Sequence, residues 1–181
     1  MRHGESKANI EGKIVSHEGN AKSSRYGLTE LGQQQVFQAA QNSALTSTTI
    51  IYSSDYTRAK ETATIMKRAL RAKEVHLTRR LRERHFGKWE LTNLNNYKAI
   101  WQNDSAGKLT AGVESPDKVL DRVTRLVAEL EKKYYAKDIL LISHGDTLQI
   151  LECGFQKLNP SQHRSLPHLD VAVVRQLELR V

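Results

Sequence analysis

The residue types able to do chemistry gather in a few short stretches. Arg2, His3, Gly4, Glu5 and Ser6 open the chain, with Asn9 close behind; "SSDYTRA" carries Arg58, "LRERHFGKWE" carries Glu83, and "LISHGDT" carries His144 followed by Gly145. Five other histidines, His17, His76, His85, His163 and His168, have no comparable setting and read as ordinary surface or core residues. No pair of histidines or cysteines shows zinc-ligand spacing, Cys153 stands alone, and no G-x-x-x-x-G-K-[ST] loop occurs. Nothing in these stretches asks for a metal or a nucleotide cofactor, so none is expected.

Hydrophobic periodicity shows which elements must position these groups. Leu28, Leu31, Val36, Ala39 and Ala40 approximate a helical stripe, and "TTIIYSS" (48–54) reads as a short buried strand. Across 56–70, Ala59, Ala63, Met66 and Leu70 recur at helical spacing and leave Lys60, Lys67 and Arg71 on the outer face. Ser115 and Pro116 suit the cap and first turn of a helix carrying Val119, Leu120, Val123, Leu126, Val127 and Leu130. "DILLIS" (138–143) fits a strand covered on both faces, and "VAVVRQLEL" (171–179) a final strand at a sheet edge.

Strands alternating with helices predict an α/β three-layer sandwich with a mostly parallel central sheet, residues 1–181 forming one domain. In such sheets ligands bind beyond the carboxyl ends of the strands. "TTIIYSS" runs into Arg58 and "DILLIS" into His144, so a cation and an imidazole are expected at one rim.

Composition narrows the setting. Of 181 residues, 39% are hydrophobic and 27% charged, and no apolar run approaches the roughly 18 residues needed to span a bilayer. With no apolar leader in residues 1–15 and one cysteine, the cytoplasm is the expected location. The formal charge is +8, and ten basic residues against three acids fall between 58 and 84. No aromatics are interleaved there for base stacking, so that stretch reads as a solvated helix face and loop rather than a nucleic-acid site.

Together "RHGES" with Asn9, "YGLTELG", "SSDYTRAKETA", "LRERHFGKWE", "GVES" and "LISHGDT" resemble, in order and approximate spacing, the histidine phosphatase superfamily, the phosphoglycerate mutase-like group. The resemblance implies a phosphomonoesterase acting on a small phosphorylated substrate. His3 would be the nucleophile that becomes phosphohistidine. Arg2, Arg58 and His144 would hold the phosphoryl oxygens, with Asn9, the Gly145 amide and Ser6 as further donors. Glu83 would protonate the leaving oxygen and then deprotonate water, in competition with Glu90 and Glu5 for that assignment. Phe86 and Trp89 are expected to pack. The alternatives are a phosphoglycerate mutase and a catalytically weak protein that holds phosphorylated ligands on the basic stretch.

The sequence departs from the family pattern in places. Members carry an apolar strand directly before "RHG", where this chain has only Met1. The first strand therefore reads as truncated; its expected place is between "TTIIYSS" and "DILLIS", leaving unpaired edges and a frayed His3. The F-x-G-W run of true mutases is missing, so the chain looks more like the phosphatase branch; separately, Leu91 stands where glycine is usual.

Overall fold

The computed structural model describes residues 1–178. Three strands, β1 (Ile50–Ser54), β2 (Val75–Thr78) and β3 (Ile139–Ile142), form an all-parallel sheet in the order β2-β1-β3. Parallel neighbours need long crossovers. The one between β1 and β2 is α4 (Thr57–Leu70), as its apolar stripe predicts. The crossover to β3 is far longer and includes α5 (Asn96–Ser105) and α6 (Pro116–Lys133). Ser115 caps α6 as expected, its hydroxyl accepting from the Lys118 amide at 3.3 Å.

Strand side chains alternate between two cores. Ile51, Leu140 and Ile142 face Val36 and Ala40 of α3 (Glu30–Gln41) together with Ala59, Ala63 and Met66 of α4. On the opposite face Tyr52, Ile139 and Leu141 meet Leu81 with Leu126 and Leu130 of α6. α7 (Gly145–Phe155) packs beside α6, which completes the three layers. Two single-turn helices, α1 (Lys7–Ile10) and α2 (Glu18–Ala21), lie in the chain before α3.

The structure corrects three expectations. β1 and β3 pair directly, so no strand position lies between them. Residues 1–3 run along the outer edge of β3 instead: Arg2 bridges Ser143 in parallel, the His3 amide donates to the Ser143 carbonyl at 3.0 Å, and the Ser143 amide to Met1 at 3.1 Å. His3 is consequently not frayed. Met1 and His3 are buried, and the Met1 amine donates to the Leu141 carbonyl at 2.8 Å, burial lowering its pKa to about 5. Third, 171–178 form no strand: residues 171–172 turn, and Leu179 lies outside the described residues. Hydrogen bonds from the Arg2 amide to Val173 and from the Ala172 amide to Arg2 still tie this segment to the chain's start.

Two glycines set the depth of His3. A Cβ on Gly4 would stand 2.5 Å from the Gly32 carbonyl oxygen, and one on Gly32 would stand 2.0 Å from the Glu5 carbonyl oxygen. The backbone after His3 and the start of α3 touch directly, a fit open only to glycine.

Candidate active site

Strand β1 ends at Ser54, and the first turn of α4 brings Arg58 inward. β3 ends at Ile142, and α7 begins at once with His144 as its N-cap and Gly145 as its first residue. The edge segment brings Arg2 and His3 to the same rim. With Glu83, these residues surround a cavity of about 310 Å³, which Arg2, His3, Arg58, Glu83 and Gly145 line directly and behind which His144 is fully buried. Ligand sites of such sheets lie at this end.

The hydrogen bonds of His3 define its protonation. Arg58 Nε, always a donor, lies 3.0 Å from His3 Nε2, while His3 Nδ1 lies 2.7 Å from the Gly4 carbonyl, always an acceptor. The ring therefore carries its hydrogen on Nδ1 and a lone pair on Nε2. Burial, then Arg58 and Arg2, hold the pKa well below the usual histidine value, so His3 is neutral.

Around this lone pair several buried nitrogens are without a partner among the described residues: Arg2 Nε, Arg58 Nη1 and His144 Nδ1. Buried donors are normally satisfied. The other atoms of the same groups are: Arg2 Nη1 donates to the Leu169 carbonyl at 3.0 Å, Arg58 Nη2 to the Val15 carbonyl at 2.9 Å, and His144 Nε2 lies 2.9 Å from Ser54 Oγ. Ser54 Oγ also accepts from the Tyr56 amide, so its own proton is free for His144 Nε2. That assignment leaves the hydrogen of His144 on the unpartnered Nδ1. The His3 and His144 rings stand 5.2 Å apart, edge to face.

Glu83 is buried and lines the cavity. Its Oε1 accepts from the Arg84 amide at 2.9 Å and from the amide and hydroxyl of Thr147 at 3.3 and 3.1 Å. Burial and the nearby Asp146 carboxylate push its pKa up. Neither flanking arginine pairs with its carboxylate: Arg82 holds Asp55 and Glu18, and Arg84 forms a buried two-pronged pair with Asp104 at 2.6 and 2.8 Å. The competing acids serve structure. Glu90 collects the Ser16 and His17 amides, the Ser16 hydroxyl and the Asn20 side chain, and Glu5 accepts from Thr29.

Ser6 and Asn9 face the cavity as a pair, Asn9 Oδ1 receiving the Ser6 amide and hydroxyl at 3.0 and 2.8 Å. That leaves the Asn9 amide group as the donor. Phe86 is buried against Ile14 and Ile100, with Trp89 packed beside them.

Sequence reasoning passed over several groups that line or support the cavity. Lys13, Tyr97, Trp101, Asp146, Arg164 and His168 line it, and His163 is buried 3.4 Å from Asp146. Asp146 also accepts from Trp101 Nε1 at 2.9 Å and lies 3.5 Å from Arg84. The "HGDT" stretch held the one available signal, an acid in the first turn of a helix beside a candidate site residue. Among the described residues no group of three His, Cys, Asp or Glu side chains could hold a metal ion.

A small all-parallel sheet flanked by helices, with two histidines and two arginines gathered at its carboxyl rim, defines an α/β fold. The family model of the histidine phosphatase superfamily (branch 1) matches residues 1–180, and the chain belongs to that superfamily. Phosphoglycerate mutase-like protein 4 of Arabidopsis thaliana is 31% identical over 96% of this chain and 75% of its own length. The adenosylcobalamin/alpha-ribazole phosphatase of Escherichia coli is 29% identical over 83% of this chain and 74% of its own. The chain thus spans about three quarters of both relatives. A solved mycobacterial glucosyl-3-phosphoglycerate phosphatase matches with a TM-score of 0.76 and 26% identity, over 94% of this chain and 84% of that one.

Proposed function

We propose that the chain hydrolyses phosphate monoesters through a phosphohistidine at His3. The observation that carries this reading is the lone pair of His3 Nε2, held by Arg58 Nε beside donors that lack acceptors on Arg2, Arg58 and His144. A phosphoryl group supplies both needs, an electrophilic centre for the lone pair and anionic oxygens for the donors.

In the first step the Arg58 Nε–H turns its hydrogen bond from Nε2 to a phosphoryl oxygen, Nε2 attacks phosphorus, the bond to the ester oxygen breaks, and that oxygen takes the proton of Glu83. The Gly4 carbonyl, bound to the Nδ1 hydrogen, supports the positive charge that develops on the ring. Next, the ionised Glu83 takes a proton from water, the hydroxide attacks phosphorus, the bond to Nε2 breaks, and phosphate leaves. The raised proton affinity of Glu83 and the lowered one of His3 suit these opposite roles. Asn9, the Gly145 amide at the start of α7, and Ser6 acting through Asn9 complete the oxygen contacts. No step calls for a metal.

Relatives named as phosphatases support hydrolysis, while a relative named phosphoglycerate mutase-like supports the transfer reading, so the test must separate the two. The test is p-nitrophenyl phosphate hydrolysis with EDTA present, together with quenched mixing that traps phosphoprotein. The expected result is turnover and a phosphohistidine, both lost in His3→Ala; turnover that survives His3→Ala overturns the reading. Return of the phosphoryl group to glycerate in place of release to water would identify a mutase.

A further inference from the structure

Two buried carboxyls stand near one another at the site, and they are held in unlike ways. Asp146 and Thr147 share the first turn of α7, and Thr147 donates to Glu83, so one turn of helix brings the two acids together. The hydrogen bonds to Glu83 come from neutral groups, the Arg84 and Thr147 amides and the Thr147 hydroxyl. Asp146 Oδ2 instead meets groups from three other segments: Trp101 Nε1 at 2.9 Å, His163 Nε2 at 3.4 Å and Arg84 Nη1 at 3.5 Å. Like charges in one buried site oppose joint ionisation, so the pair holds one proton between two seats.

His163 is fully buried in the 160–165 segment, which packs on α5 and α7. Its Nδ1 lies 3.0 Å from the Pro160 carbonyl, and its Nε2 has no partner among the described residues other than Asp146. The ring stands behind the cavity wall, and no step of the proposed reaction uses it. Against burial, His163 first and then Arg84 and Trp101 hold the Asp146 carboxyl below the usual carboxylate range, whereas burial and then Asp146 push Glu83 up. Arg58, Arg2, Tyr97 and Tyr56 also act on Glu83, and Arg164 lies 3.9 Å from Asp146. Those groups are common to both seats or remote from His163, which touches Asp146 alone.

We infer that His163 is a positioning residue for the general acid: it keeps Asp146 ionised, so that the one proton of the pair stays on Glu83. This role rests on the phosphatase reading, in which Glu83 must hold a proton when the ester arrives. Without His163 the second seat gains affinity, and the proton divides between the two carboxyls. At equal affinity Glu83 holds it in about half the molecules, and where Asp146 is favoured tenfold, in about a tenth.

The experiment takes kcat/KM for phenyl phosphate relative to p-nitrophenyl phosphate, on the acid side of the alkaline decline. The two esters share a ring, but phenolate is the poorer leaving group and depends more on the proton. Each ratio is measured within one protein preparation, so partial loss of folded enzyme cancels. In His163→Leu the ratio is expected to fall about twofold to tenfold, and in His163→Gln, whose amide can donate to Asp146, to fall less. Adding Asp146→Asn to His163→Leu restores the ratio, because Asn cannot take the proton. An unchanged ratio in His163→Leu, or a loss that Asp146→Asn does not restore, overturns the role. Carbon-13 NMR of the aspartate carboxyls gives a readout apart from turnover: the Asp146 signal, identified by its absence in Asp146→Asn, moves toward the protonated position in His163→Leu, and a signal that stays at the ionised position overturns the inference. A parent chain that hydrolyses neither ester overturns the phosphatase reading instead, and the carboxyl signal still decides whether His163 keeps Asp146 ionised.

Discussion

Protonation at the site is set by neighbours rather than by residue type. His3 is neutral because burial and two guanidinium groups disfavour its cation. The acid side of the kcat/KM profile should therefore show no loss with an apparent pKa near 6.5; a fall there would mean a histidine that protonates normally. Glu83 is shifted the opposite way, with Asp146 the second cause after burial. A carboxyl whose pKa is raised holds its proton to higher pH, so activity that needs Glu83 protonated declines as pH rises through that value. Asp146→Asn removes the like charge and lowers the pKa, moving the alkaline decline of kcat to lower pH. An unmoved alkaline limb would show that Asp146 does not bear on Glu83.

At the scale of elements, the close approach of α3 to the segment after His3 bears on where His3 points. Gly32→Ala places a methyl group 2.0 Å from the Glu5 carbonyl oxygen, so backbone must shift. Overpacking of this kind costs about 1–3 kcal/mol, and a displacement near 1 Å can reduce rate on the order of a hundredfold. Urea denaturation and p-nitrophenyl phosphate turnover should both register it, and unchanged kcat would show that α3 does not set the position of His3. The turn after the 87–89 segment gives the contrary case. Leu91 holds φ of 62°, the left-handed region, at the position where the family pattern has glycine. Leu91→Gly should relieve strain of about 1 kcal/mol, read as a higher midpoint in thermal denaturation.

Across the whole molecule, the excursion between β2 and β3 is joined to the body through buried charge. Arg84 and Asp104 are both nearly inaccessible and pair through two hydrogen bonds, linking α5 to the segment that carries Glu83. Arg84→Ala leaves Asp104 buried and alone, and is expected to cost about 3–5 kcal/mol in urea unfolding. An apolar replacement of both partners should cost less, because Asp104 no longer lies buried without a counter-charge. The basic 58–84 stretch also disperses in three dimensions. Arg58 and Arg84 turn inward, Arg80 pairs with Glu129 and Arg82 with Asp55, while Lys60, Lys67, Arg68 and Arg71 stay exposed. Much of the sequence was legible: α4 and α6 follow from stripes and a capping pair, β1 and β3 from their apolar runs, and the candidate residues that line one cavity from short stretches carrying reactive groups. Those signals are local. α5 was hidden because its exposed face and its charged, aromatic contacts leave no clean apolar stripe. The sequence by itself determined which chemical groups are available, while the tertiary structure alone decided strand order, the seat of residues 1–3 at the edge of β3, the tautomer of His3, and the arrival of Lys13, Trp101, Arg164 and His168 at one cavity. The reason is physical: parallel pairing and loop-borne contacts join residues more than a hundred positions apart, and local spacing carries no record of such neighbours.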